Sequence, residues 1–277
     1  MTKAELNQIF ALSILRLRRR LGRIFYIWKR RARWVFGKEK FARKRENPMP
    51  NLVFQHKTPL LRQLKNVEMQ LQHNKATNLR LAAAKIDGLL LLPGETFSFW
   101  KTVGAPTARK GYLKGLVLER GKLAAGIGGG LCQMGNLLYW MALHSPLTVA
   151  ERWRHSYDVF PDESRTQPFG TGATLAYNYI DLQLRNDTAS PLQLRVWLSE
   201  TELHGEIRAA APPLECYEVV EAEHLIRPEP QGFYSRHNRI ARRVFSLPSG
   251  QLLREEFVAE NHALMMYQPF LNERTST

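Results

Sequence analysis

Four glycines lead into a cysteine in the stretch Gly126-Ile-Gly-Gly-Gly-Leu-Cys132-Gln133. Glycine lets the backbone turn tightly and lets other groups approach it closely, and the first N–H groups of a helix have no intrahelical acceptor. A thiol at such a helix start has its pKa lowered by the oriented amides, and the thiolate is the nucleophile. The same N–H groups, with the Gln133 amide beside them, can stabilise an oxyanion. A cysteine nucleophile needs a base. His155 follows a strand pattern at 149–153 and Asp181 lies between later strands, so Cys132, His155 and Asp181 fit the nucleophile, base and orienter of a thiol hydrolase or acyltransferase acting on an amide.

The loop also supports a reading of a different class. Gly128, Gly129, Gly130 and Gln133 can hold a carboxylate or phosphate on helix N–H groups in a noncatalytic binding module. Cys132 is then a small apolar filler, a common fate for free cysteine. No Lys-Ser/Thr closes the loop and no G-x-G-x-x-G spacing is present, so neither a nucleotide nor another cofactor is expected. Cys132, His144, His155 and Asp158 or Asp162 match no zinc signature, and no metal is expected. Cys216, with no glycine loop beside it, reads as structural. Residues 158–172, carrying Pro161, Pro168, Gly170 and Gly172, read as a long irregular loop facing substrate.

The elements that must position these residues follow from periodicity. Leu64, Val67, Leu71, Leu79, Ala82, Ala83 and Ile86 predict helix up to a stop at Asp87-Gly88. Strands are expected at 89–92, 96–100, 116–119, 149–153, 174–179, 182–185, 192–198 and 203–208, interrupted by one helix from Cys132 to about His144. Later strands are expected at 217–222, 240–247 and 251–258. This order predicts an α+β fold with a mostly antiparallel sheet, a central helix capped by the glycine loop, and helices before it. Three segments follow: a basic helix and linker at 1–50, an α+β core at 51–210, and a strand-rich extension at 211–277.

The 277 residues carry a formal net charge of +15, 44% hydrophobic and 23% charged, a composition that excludes a wholly disordered chain. The charge is local: residues 1–50 hold 15 Lys/Arg against 3 Asp/Glu, a net of +12, and the remainder 25 against 22. Phe10, Ile14, Leu17, Leu21, Ile24, Phe25 and Trp28 recur at three- and four-residue steps, with arginines between them, predicting a basic amphipathic helix within 1–50 that gives way to a linker at 38–50. Such a helix either lies on an anionic membrane surface or packs on the rest of the protein. No basic, aromatic-rich module follows it, which argues against nucleic acid as a partner. No apolar run approaches the roughly 18 residues of a membrane span, and no signal-peptide pattern is seen. The chain is therefore expected to be cytoplasmic, peripheral to the inner face of the membrane.

Pro-Gly-Glu-Thr-Phe-Ser-Phe at 93–99, the glycine–cysteine stretch at 126–133 and Asp-Leu-Gln-Leu-Arg-Asn at 181–186 resemble the signature of the VanW family. The family core corresponds to about 74–208. Further likeness at 110–117, 143–147 and 168–172 extends the resemblance over most of 40–270. It implies an association with cell-envelope and peptidoglycan precursor metabolism and with glycopeptide (vancomycin) resistance. The implied partner is an envelope peptide, glycan or precursor.

Overall fold

The computed structural model describes residues 3–61, 68–119, 122–154, 157–158 and 167–268, and within the first helix side chains are described only in part before Arg20. His155 and part of the expected helix before Met69 lie outside the described residues. The fold is α+β with mostly antiparallel pairing, as the alternation of patterns predicts.

A long helix, α1 (Lys3–Phe36), leads through β1 (Lys40–Phe41) and β2 (Asn51–Pro59) to α2 (Met69–Ile86). Two short strands, β3 (Leu89–Leu91) and β4 (Glu95–Ser98), precede the one-turn helix α3 (Phe99–Val103) and the hairpin β5 (Lys114–Glu119) and β6 (Lys122–Ile127). The central helix α4 (Cys132–Leu143) is followed by β7 (Thr148–Glu151), β8 (Tyr157–Asp158), β9 (Gln183–Arg185), β10 (Leu192–Leu198) and β11 (Glu202–Ala209). Three long strands, β12 (Glu215–Pro228), β13 (Tyr234–Ser246) and β14 (Leu252–Met265), end the described chain. The sheets run β1-β4-β9-β7, β2-β11-β10-β3 and β12-β13-β14-β8, with β5-β6 as a separate ribbon.

The core sits around α4. Met134, Leu137, Leu138, Met141 and Leu143 are all buried, which is the pattern of a helix enclosed on every side rather than amphipathic. Gly205 on β11 lets α4 approach closely, because a Cβ there would lie 2.7 Å from the Met141 sulfur. On α2, Lys75, Leu79, Ala82 and Ile86 recur at three- and four-residue steps and are buried. Asp87 ends α2, and its carboxylate accepts from Arg195 Nε at 2.7 Å and Val196 N at 3.0 Å, tying the helix end to β10.

Three expectations change. The linker expected at 38–50 is partly built into the fold, since β1 pairs in parallel with β4 and Arg45 bridges to Leu89. Residues 174–179 form no extended strand, because Ala176 N donates to Ile180 O and Tyr179 N to Ala176 O, closing the chain on itself. The strand expected at 96–100 stops at Ser98, whose hydroxyl accepts from Lys101 N at 3.2 Å and starts α3; a serine that satisfies a first-turn donor is a strong helix start. Among the described residues no helix is long and apolar enough to cross a membrane.

Candidate functional site

The glycine loop and α4 start where the sequence places them, and Cys132 is the first residue of the helix. Gly128 and Gly130 have φ of +75° and +92°, a region that favours glycine. The loop is filled by the protein itself. A Cβ on Gly129 would stand 2.1 Å from the Gly115 carbonyl carbon, and one on Gly130 would stand 2.1 Å from Lys75 Cγ. Buried Asn78 from α2 locks this packing: its amide donates to Gly129 O at 2.9 Å and Leu113 O at 3.0 Å and accepts from Leu113 N at 2.8 Å. The N–H groups of Gly128, Gly129 and Gln133 are spent on Leu113 O, Gly126 O and Gly130 O.

Gln133 is equally engaged. Its Nε2 donates to Thr58 Oγ1 at 2.9 Å and Pro59 O at 2.8 Å, pinning α4 to the end of β2. An amide nitrogen has two hydrogens, so both donors are used.

Cys132 is half-buried, and its thiol lies 3.8 Å from Leu175 O. Burial pushes the thiol pKa up; the Leu175 contact and the cysteine's own N–H pull the other way without reversing it. The lowering expected from the helix amides is thus outweighed by desolvation of the charged form.

Asp181 belongs to a different constellation. Its carboxylate is fully buried and accepts from Ser98 Oγ at 2.6 Å, and from Trp100 N and Leu182 N, each at 3.0 Å. It therefore completes the start of α3. Glu151 accepts both from Asp181 N at 3.3 Å and from Arg30 of α1 in a two-pronged pair at 2.5 and 2.6 Å. Burial raises the Asp181 pKa to about 6, helped by Glu151 and opposed by Ser98, Trp100 and Arg30. Among the described residues no hydrogen bond joins Asp181 to Cys132.

A second group was not anticipated as a site. Arg152 and Arg154 stand two residues apart beyond β7, a spacing that puts side chains on one side of extended chain. Arg152 donates to Gly170 O and, at 2.8 Å from Nε, to Gly172 O, and lies 4.7 Å over the Tyr139 ring. Arg154 donates to His262 O and lies 4.9 Å over Phe169. Burial and the neighbouring Arg152 push the Arg154 pKa down to about 10, with Asp158 acting against them. That Asp158 carboxylate accepts from Tyr267 at 2.8 Å and sits 3.4 Å from Arg236. Neither Arg152 nor Arg154 has a carboxylate within ion-pair distance among the described residues. The signal in the sequence is the Arg-Trp-Arg alternation at 152–154, at the close of a strand and directly before His155.

The segment 170–175 joins the two places. Its carbonyls take Arg152 at one end and the Cys132 thiol at the other. Thr174 N, between them, donates to Trp153 O at 2.7 Å.

Comparison with known proteins agrees with the motifs. The family described as VanW like protein matches residues 74–208, which include the glycine loop, Cys132, the arginine pair and Asp181. Vancomycin B-type resistance protein VanW of Enterococcus faecalis (strain ATCC 700802 / V583) is 34% identical over 222 residues, 80% of this chain and 80% of that protein. Uncharacterized protein YoaR of Bacillus subtilis (strain 168) is 31% identical over 122 residues, 44% of this chain and 39% of that protein. No solved structure matches. With the likeness to the enterococcal protein running along four-fifths of both chains, this chain belongs to the VanW family.

Proposed function

We propose that this chain serves glycopeptide resistance by binding an envelope peptide, glycan or lipid-linked cell-wall precursor through a carboxylate or phosphate, without covalent chemistry. The link to resistance comes from the name of the enterococcal relative. The observation that carries the binding reading is the arginine pair. Arg152 and Arg154 are partly buried, rest on aromatic faces and, among the described residues, donate only to backbone carbonyls, so an incoming anion meets two pre-positioned guanidinium forks. Paired guanidinium groups suit carboxylate and phosphate geometry, and their mutual repulsion is relieved when an anion binds. The glycine loop is a support in this reading, its space taken by Lys75, Gly115 and Pro106. The reading puts the chain at the inner face of the membrane, the side on which basic segments collect.

A second reading keeps Cys132 as the nucleophile of an amide hydrolase or acyltransferase. Its support is the shared segment 170–175, which sets the thiol and Arg152 at opposite ends of one short stretch. It requires His155 as base, and His155 lies outside the described residues.

Calorimetric titration of the full chain with inorganic pyrophosphate and with a soluble cell-wall peptide bearing a free terminal carboxylate separates the two. The binding reading expects R152Q/R154Q to lose at least about tenfold in affinity for one of these probes, each charged hydrogen bond being worth about 1.5–3 kcal/mol. C132S should bind as the parent does. Unchanged affinity in R152Q/R154Q overturns the binding reading. Release of a new amine from the peptide by the parent, abolished in C132S, establishes the second.

A further inference from the structure

The long helix α1 uses one side to dock on the core and leaves another unpartnered among the described residues. Arg30 is 8% exposed and pairs with Glu151, and the same guanidinium donates to Tyr179 O at 3.3 Å. Trp34 packs against the core, and its carbonyl accepts from Lys101 Nζ at 3.1 Å. On a 3.6-residue wheel, Arg30 and Trp34 lie away from the stripe formed by Phe10, Ile14, Leu17, Leu21, Ile24 and Trp28. Every member of that stripe is exposed, Phe10 at 68% and Trp28 at 63%. An apolar stripe of this length on a polar helix is not left to water without a partner.

Its flanks identify the partner by charge. Arg18, Arg20, Arg23, Lys29, Arg31 and Arg33 are exposed, and the sole acidic residue of the helix is Glu5. The stripe also repeats at alternating four- and three-residue steps, the spacing of a coiled coil. A second copy in that arrangement would bring basic flanks against basic flanks, since α1 offers almost no acid to answer them. An anionic lipid surface accepts both features at once: acyl chains for the stripe, headgroups for the arginines.

We infer that α1 lies along an anionic phospholipid surface with the Phe10–Trp28 stripe sunk into the interface, while Arg30 and Trp34 on its other side hold the core against it. This inference goes beyond the proposed ligand site and does not involve Arg152 or Arg154. The Arg30–Glu151 pair then has a positioning role, because it fixes the lipid-facing helix directly to the strand that runs into that arginine pair.

Flotation of the full chain with vesicles tests it, using phosphatidylglycerol and phosphatidylcholine in equal parts against pure phosphatidylcholine. Binding to the anionic vesicles should be at least about tenfold tighter and should weaken as salt is raised. R18Q/R20Q/R23Q should lose roughly a hundredfold at low salt, at about 1 kcal/mol per charge. L21E/W28E, altered only at exposed positions and checked by its melting curve, should lose binding as well. Equal binding to both vesicle types, or full binding by L21E/W28E, overturns the inference. A parent that stays off the vesicles and forms a dimer that L21E/W28E dissolves also overturns it, in favour of a second copy as the partner.

Discussion

The Asp181 carboxylate is sealed from solvent beside the first turn of α3. From sequence it is the third member of a catalytic set, an acid between two strands. In the fold it is a buried cap whose oxygens start α3 and whose charge is favoured by Arg30 and opposed by Glu151. Its folded pKa of about 6 lies above the ordinary 3.8, so the native state holds the proton more tightly than the unfolded chain does. Stability from this group is therefore greatest below the unfolded pKa and is lost as pH rises through about 6, by an amount on the order of 3 kcal/mol. In D181N the amide keeps the shape and, with no proton to release, removes the dependence. Urea unfolding of both proteins at several pH values from 4 to 7 checks this. The parent should lose stability relative to D181N across that window, and a constant difference would show that burial does not govern this carboxylate. For Cys132 the place at a helix start is legible in the sequence, whereas the burial that outweighs the helix amides is set by the folded chain around it.

Among the elements, those with strong period were readable and those built on cross-chain contacts were not. α4 ends one residue before its expected end and β10 matches its expected bounds, because continuous apolar runs bounded by turn residues admit few alternatives. β2 was missed. It faces inward with His56 and Thr58 as well as Val53 and Phe54, so polar residues interrupt the apolar alternation that marks a strand. At the glycine loop, three close glycines announce tight approach, and the fold shows that Gly115 and Lys75 approach them. This yields a contrast between two substitutions of the same kind. In G129A the new methyl meets the Gly115 backbone at 2.1 Å, which cannot swing aside as a side chain does, so the loss should exceed the usual 1–3 kcal/mol of overpacking. In G94A the space is open and only the φ of +77° is unfavourable, for about 1 kcal/mol. Thermal melts of the two variants rank the effects, and equal losses would mean that the loop has room to move.

For the molecule as a whole, the strands β12 to β14 are tied to the family core by a few identifiable contacts. Arg242 on β13 donates to Ser145 O at 3.0 Å and Ala142 O at 3.5 Å, at the carboxyl end of α4, while Glu256 holds its other side. A cation at that end satisfies orphan carbonyls and complements the helix dipole. Val219 and Val258 pack against the main core, and Asn238 donates to Phe169 O at 2.7 Å, at the start of the segment that leads to Arg152 and Cys132. These contacts join the extension to the core that holds both candidate groups, so the two should unfold together. R242M keeps the bulk of the side chain and removes its donors, and it should cost about 2–3 kcal/mol. The loss should be shared: hydrogen exchange should quicken both along β13 and in the last turn of α4, with a single melting transition moved to lower temperature. If β13 loosens while the end of α4 exchanges as before, the extension is a unit that rests on the core without stabilising it. Because the same sheet grips Phe169, quickened exchange would also be expected at 170–175, bringing the loss to the backbone that supports Arg152 and the Cys132 thiol.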